Sequence, residues 1–190
     1  GEDPLEAAYA RMPHGVYEGL RTHDGNRLFA LDRHLERAAR GCRQRGLPGW
    51  EPLDVRRALA RVLDRHAGDL RVRIDFLPSP AVDLGGTGTV LLGLRPLVLP
   101  SEDIYREGVG VQPMTELFRK DPEVKGAAFA TQRHAHQWDT RDNYEPILTS
   151  AEGDLLEGVM SNFLAIQGGV IRTAGGGVLP GITRQVVLEL

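Results

Sequence analysis

The chain has 190 residues, of which 41% are hydrophobic, and its formal net charge at pH 7 is −3. This composition can supply the core of one large domain or two small ones, and it lacks the clustered basic surface of a nucleic-acid-binding protein. The single cysteine, Cys42, excludes an internal disulfide framework. No apolar run is long enough to span a membrane, and the acidic N-terminus lacks a signal-peptide core. We therefore expect a cytoplasmic protein that binds neither nucleic acid nor membrane.

The first half of the sequence predicts a hairpin followed by two helices. Alternating apolar and polar residues over 15–21 indicate a strand, and Asp24-Gly25 is typical of a hairpin turn into a second strand over 27–31. Asp32 is expected to cap a helix whose apolar residues have helical spacing, and a second helix follows Pro52. Three further strands are predicted over 69–76, 89–99 and 108–114. This half is therefore expected to be an α/β unit built on hairpins.

The second half of the sequence predicts a lobe rich in β-strands. The charged segment 116–124 is interpreted as a linker, which divides the chain into one domain over 1–115 and another over 116–190. A helix is predicted over 127–138, and a last helix begins at Ile182. Between these helices, turns containing glycine separate short strands over 144–149, 155–158, 162–166 and 170–173. The expected fold class is α/β (α+β), in two lobes.

The stretch 154–184 combines two features that carry chemistry. Pro180-Gly181 leads into the helix that begins at Ile182, so backbone N–H groups and the Thr183 hydroxyl offer an anion site. Glu157 lies between predicted strands, with apolar flanks that favour burial, and a buried carboxylate needs a cationic partner. Pyridoxal phosphate has an anionic phosphate and a ring nitrogen that suit these two features, and it also requires a lysine.

Sequence motifs in four parts of the chain support this cofactor. They are GVYEGLR over 15–21, LDRHLER over 31–37, PEVK over 122–125, and the combination of LEG, SNF and LPGITR within 156–184. In this order they resemble the signature of the class IV (fold-type IV) pyridoxal-phosphate aminotransferases, which include branched-chain aminotransferases, D-amino-acid aminotransferases and aminodeoxychorismate lyases. The resemblance implies a small N-terminal α/β lobe, a larger β-rich cofactor lobe and a homodimer. Relatives continue well past the LPGITR helix, so the resemblance also implies an incomplete C-terminal lobe.

The resemblance assigns roles to particular residues. Lys125 corresponds to the Schiff-base lysine, and Lys120 is the only other lysine in the sequence. Glu157 would face the pyridine nitrogen and keep it protonated, so that the ring can accept the electron pair of a substrate carbanion. The phosphate would be bound by Arg37, Ile182 and Thr183.

The substrate side is less sharply defined. Tyr17 occupies the aromatic position that lies near the substrate in relatives, although a half-buried strand aromatic explains it equally well. Arg73 corresponds to an arginine that binds a substrate carboxylate in some relatives, but Arg71 lies on the same face of the strand, and the sequence does not choose between them. We expect no metal site, and we interpret three histidines as structural or solvated, namely His34, His134 and His136.

The leading hypothesis is a transaminase that moves an amino group between an amino acid and a 2-oxo acid. A second hypothesis within the same family is an aminodeoxychorismate lyase, which would use the same cofactor and lysine to eliminate pyruvate. A third, from a different class, is a non-catalytic remnant of the fold that serves as a binding module.

Overall fold

The structure is a computed structural model that describes residues 4–136, 138–139 and 141–190. Helices and β-sheets are mixed along the chain, which confirms the expected α/β class. Two compact units are present: the chain up to Leu99 together with Val124–Ala128, and Pro100–Glu123 together with Phe129–Leu190. Among the described helices, none is long and apolar enough to cross a membrane.

An antiparallel sheet with two helices on one face forms the first unit. Its four strands lie in the order β2-β1-β3-β4. The elements are α1 (Pro4–Arg11), β1 (Val16–His23), β2 (Arg27–Leu28), α2 (Leu31–Gln44), α3 (Pro52–Leu63), β3 (Leu70–Phe76) and β4 (Val90–Pro96). Alternate strand residues share a face, so one face of β1 and β3 packs against α2 and α3. The resulting core includes Val16, Leu20, Leu35, Ala38, Leu59, Val72, Ile74 and Phe76.

The start of α2 differs from the expectation. Strand β2 covers only Arg27–Leu28, rather than 27–31, because Ala30 adopts a left-handed backbone conformation (φ 49°) that begins the helix. Ala30 is the N-cap residue, and no side chain caps the helix. The prediction that Asp32 caps α2 is therefore wrong. Asp32 lies in the first turn, where a negative charge favours the helix dipole, and it pairs with Arg56 of α3.

A three-stranded mixed sheet and a separate hairpin form the second unit. In the sheet, β5 is parallel to β6 and β7 is antiparallel to β6. The elements are α4 (Glu102–Glu107), β5 (Val111–Met114), α5 (Ala127–Ala135, of which the part from Phe129 belongs to this unit), β6 (Glu145–Thr149), β7 (Leu155–Gly158), β8 (Ala165–Gln167), β9 (Val170–Arg172) and α6 (Ile182–Glu189). Helix α4 is absent from the sequence prediction because its six residues show no apolar periodicity. The core of this unit contains Met114, Leu117, Phe129, Leu148 and Val159.

The division between the units lies elsewhere than the 115/116 boundary expected from sequence. Strand β5 pairs with β6, which places the segment 100–123 in the second unit. The segment 124–128 belongs to the first unit, because Tyr17 N donates to Lys125 O and Ala127 N donates to Gly15 O, each at 2.9 Å.

Candidate active site

A buried acid lies at the end of β7 in the second unit. Glu157 is only 2% exposed, as its apolar flanks indicate. Its Oε2 accepts hydrogen bonds from Asn162 Nδ2 (3.0 Å) and Leu179 N (3.1 Å). Its Oε1 accepts a hydrogen bond from Arg119 Nε at 2.5 Å. The cationic partner that a buried carboxylate needs is therefore already supplied within this unit.

Arg119 is the residue of this site that sequence reasoning misses. Its side chain is 7% exposed, and its guanidinium lies 3.8 Å from the centroid of the Phe129 ring. The position falls in the charged segment 116–124, which is typical of a linker. The sequence does contain one signal against a linker, because Leu117 and Phe129, on either side of the motif PEVK, are apolar. Both residues lie in the core of the second unit.

Helix α6 provides the second feature of the site. Its N-cap residue, Gly181, makes no side-chain capping bond, so the first backbone N–H groups of the helix, at Ile182 and Thr183, have no partner within the helix. Asn162 Nδ2 donates to Leu179 O at 2.9 Å as well as to Glu157. The amide therefore connects the acid to the turn that begins α6, although Glu157 and Ile182 are far apart in the sequence.

Replacing Gly181 by alanine should disturb this connection. A Cβ atom at position 181 would lie 1.7 Å from Asn162 Oδ1, so the amide has to move away from Glu157. We expect a loss of about 1–3 kcal/mol in the free energy of unfolding, measured by chemical denaturation, together with weaker binding of pyridoxal phosphate. Gly175→Ala is the matched control, because nothing lies within 4 Å of its added Cβ. Equal stability of the two variants would contradict the prediction.

The predicted Schiff-base lysine lies beside β1 in the first unit. The backbone of Lys125 is held in register with Tyr17 by the hydrogen bond between Tyr17 N and Lys125 O. Lys125 Nζ lies 5.1 Å from the centroid of the Tyr17 ring, and the side chain is half-buried. Lys120, in contrast, is exposed. A half-buried amine against an aromatic face fits a reactive lysine better than a fully solvated amine does, and the role of Lys125 stays a prediction.

Arg73 and Tyr17 lie together on the sheet face that points away from α2 and α3. The Arg73 guanidinium lies 3.9 Å from the ring centroid of Tyr9 and 4.3 Å from that of Tyr17. It also donates to both oxygens of Asp75, at 2.7 to 3.0 Å. Burial raises the pKa of Asp75, and the hydrogen bonds from Arg73 offset only part of that rise. Arg71 is exposed.

These contacts distinguish Arg73 from Arg71, between which the sequence does not choose. Arg73 is the one that contacts Tyr17, but its charge is already paired with Asp75. A substrate carboxylate would therefore have to share Arg73 with an internal carboxylate. The substrate-binding roles of Tyr17 and Arg73 stay predictions.

Arg37 lies in a buried ionic cluster of the first unit. Its side chain is 4% exposed, and it donates to both oxygens of Glu18, from Nε at 2.9 Å and from Nη2 at 2.5 Å. His34 Nδ1 lies 2.8 Å from the same carboxylate. Burial alone would raise the pKa of Glu18, but the hydrogen bonds from Arg37 and His34 bring it below the usual value. The phosphate-binding role of Arg37 stays a prediction, and Glu18 is a partner that the sequence pattern does not reveal.

Replacing Glu18 by glutamine should destabilise the first unit, because Arg37 then lacks its buried counter-charge. We expect a loss of about 3 kcal/mol in the free energy of unfolding at pH 7. The pKa of Glu18 is lower in the folded protein than the ordinary value of 4.5, so its stabilising effect is complete above that pH and is lost on acidification. The difference in unfolding free energy between wild type and variant should therefore shrink as the pH falls below 4.5, measured by urea denaturation at a series of pH values. Glu36→Gln, at an exposed position of α2 next to Arg37, serves as the control.

In the part of the chain that the structure describes, no group of three or more histidine, cysteine, aspartate or glutamate side chains could hold a metal ion. His34 is committed to Glu18, and His136 Nδ1 lies 2.9 Å from Gln132 O. The side chain of His134 lies outside the described residues.

Residues of the second unit fit two groups of pyridoxal phosphate, its ring nitrogen and its phosphate. The buried Glu157 carboxylate, which accepts bonds on both oxygens, can hold a protonated ring nitrogen, and the uncapped start of α6 can accept a phosphate. A buried carboxylate and a helix N-terminus without a side-chain cap, in a mixed α/β chain, are features that enzymes of the pyridoxal-phosphate class use. The chain matches the family model described as "Amino-transferase class IV" over residues 15–190. It therefore belongs to the class IV aminotransferases, a family that depends on pyridoxal phosphate.

Solved structures have the same fold. One, described as a "putative 4-amino-4-deoxychorismate lyase", is 26% identical with a TM-score of 0.77, and the match covers 100% of this chain and 74% of that one. The fold IV transaminase CpuTA1 from Curtobacterium pusillum is 25% identical, with a TM-score of 0.73 and coverage of 92% and 63%. The pyridoxal-phosphate-bound form of a hypothetical aminotransferase from Mycobacterium tuberculosis is 22% identical, with a TM-score of 0.69 and coverage of 92% and 66%.

The chain thus spans between 63% and 74% of the length of these three structures. A comparison with curated proteins finds no match.

Proposed function

We propose that the protein is a pyridoxal-phosphate-dependent transaminase acting between an amino acid and a 2-oxo acid. The observation that carries the proposal is the link from Glu157 through Asn162 to the start of α6. It joins a buried carboxylate to a helix N-terminus without a side-chain cap, and family membership supports pyridoxal phosphate as a common ligand of these two groups.

Each residue has a defined task in this proposal. When bound, the cofactor supplies an electron sink for the pair released at the substrate Cα. Glu157 would hold the proton at the ring nitrogen, and Lys125 would take the proton from the substrate Cα and deliver it to the C4′ carbon of the cofactor. The phosphate is bound by the backbone N–H groups of Ile182 and Thr183, together with Arg37. Tyr17 and Arg73 are assigned to the substrate.

A lyase of the aminodeoxychorismate type is the second candidate. Of the solved structures compared above, the one with the highest TM-score carries that description. The same lysine and acid serve both reactions, so the site does not separate them. The products do, because transamination consumes a 2-oxo acid, whereas the lyase releases pyruvate without one.

The experiment combines a spectrum with product analysis. Purified protein is mixed with pyridoxal phosphate, and the absorbance of the lysine-bound cofactor is followed as amino donors are added one at a time. Loss of that absorbance followed by its return on adding a 2-oxo acid supports the transaminase. Pyruvate release from aminodeoxychorismate supports the lyase. Cofactor binding with no change on adding any donor or aminodeoxychorismate would leave the non-catalytic remnant.

We also infer a homodimer in a reducing, cytoplasmic compartment. The support for the compartment is that the only cysteine, Cys42, is a buried free thiol. The support for the dimer is family membership, since the sequence motifs resemble those of dimeric enzymes. Light scattering coupled to size-exclusion chromatography measures the oligomeric state directly.

A further inference from the structure

Arg119 and Glu157 form an ion pair that is complete without any ligand. Both side chains are almost fully buried, with exposures of 7% and 2%. Glu157 also accepts bonds from Asn162 and Leu179, so its carboxylate is held on both oxygens. A carboxylate at this depth without a cation would be strongly destabilising in its charged form. Arg119 therefore supplies a buried positive charge that favours the ionised form of Glu157.

The surroundings of Arg119 favour a fixed cation at this place. Its guanidinium lies against the face of the Phe129 ring, which belongs to the core of the second unit. An arginine remains protonated at every physiological pH, and its planar guanidinium has a defined direction. A lysine in the same position could lose its proton when buried. The pair is thus built to keep one carboxylate charged and pointed in one direction.

We propose that Arg119 is a positioning residue for the cofactor, which keeps Glu157 ionised and oriented before the ring nitrogen arrives. The part of this inference that concerns the cofactor rests on the proposed function. The ring nitrogen then meets a carboxylate that is already charged, so binding does not have to ionise a buried acid.

The first test is a double-mutant cycle in the cofactor-free protein. Arg119→Met and Glu157→Gln should each lower the melting temperature by roughly 10 °C, because each leaves a buried polar partner without its counterpart. The double variant should recover at least half of that loss, since neither charge remains. Arg141→Met, which breaks an ion pair whose arginine is 86% exposed, is the control and should have little effect. Additive losses in the double variant would overturn the inference.

The second test adds pyridoxal phosphate to the same proteins. If Arg119 keeps Glu157 ionised and oriented before the ring nitrogen arrives, binding to Arg119→Met has to ionise and orient a buried acid, so the cofactor should raise its melting temperature less than that of the wild type. Arg119→Lys should return the cofactor-induced increase towards the wild-type value. An equal increase in wild type and Arg119→Met would overturn the positioning role while leaving the proposed function intact. No increase in any of the proteins would contradict the proposed function itself, and the inference would fall with it.

Discussion

Replacing Lys125 by alanine should abolish covalent capture of pyridoxal phosphate and reduce transamination by at least roughly a thousandfold. The variant should fold normally, because the backbone bond from Tyr17 N to Lys125 O does not involve the lost side chain. The reason for the loss of activity is that a single amine is assigned both to hold the cofactor and to move the Cα proton. Borohydride reduction followed by peptide mass spectrometry measures the capture, and a coupled 2-oxo acid assay measures the turnover.

Lys120 gives this prediction its control. It is the only other lysine in the chain, and it lies exposed five positions earlier. Lys120→Ala should retain both the cofactor adduct and the activity. An adduct that persists in Lys125→Ala and disappears in Lys120→Ala would move the catalytic role to Lys120.

The fold could be predicted from sequence wherever a pattern extends over many residues. The strand over 69–76 and the helices that follow Asp32 and Pro52 have clear periodicity, and the structure contains all three. Short elements are different. Helix α4 has six residues without an apolar stripe. Strand β2 ends early because Ala30 takes a left-handed conformation that the local sequence does not predict. The pairing of β5 with β6 joins residues 34 positions apart, so no local pattern could place the unit boundary.

The features of the candidate site also fall into those that local sequence predicts and those that it does not. The burial of Glu157 and the start of α6 at Ile182 both follow from local sequence, because apolar flanks and a Pro-Gly turn are short-range signals. The partners of the charged groups do not follow, since Arg119 and Glu157 are 38 positions apart and Glu18 and Arg37 are 19 apart. Ion pairs of this kind depend on packing in three dimensions. Sequence motifs can therefore indicate which residues carry the chemistry, whereas the structure is needed to show what each charge faces.

Replacing Glu157 by glutamine should slow turnover by roughly a hundredfold to ten-thousandfold, with a much smaller effect on cofactor affinity. A neutral amide cannot hold the ring nitrogen protonated, while the groups assigned to the phosphate remain in place. The structure adds a second cause, because the unpaired Arg119 charge would then face the ring nitrogen and oppose its protonation further. Steady-state kinetics at saturating pyridoxal phosphate, with the cofactor Kd measured by fluorescence, provide the two quantities.

The double variant Arg119→Met/Glu157→Gln distinguishes a direct loss of catalysis from a loss of turnover caused by lower stability. It should regain much of the melting temperature lost by Glu157→Gln, because the buried cation has also gone. Its turnover should stay far below that of the wild type, because no carboxylate is available to hold the proton on the ring nitrogen. Recovery of turnover together with stability would mean that Glu157 acts only through folding, and the acid that serves the ring nitrogen would then have to be sought elsewhere.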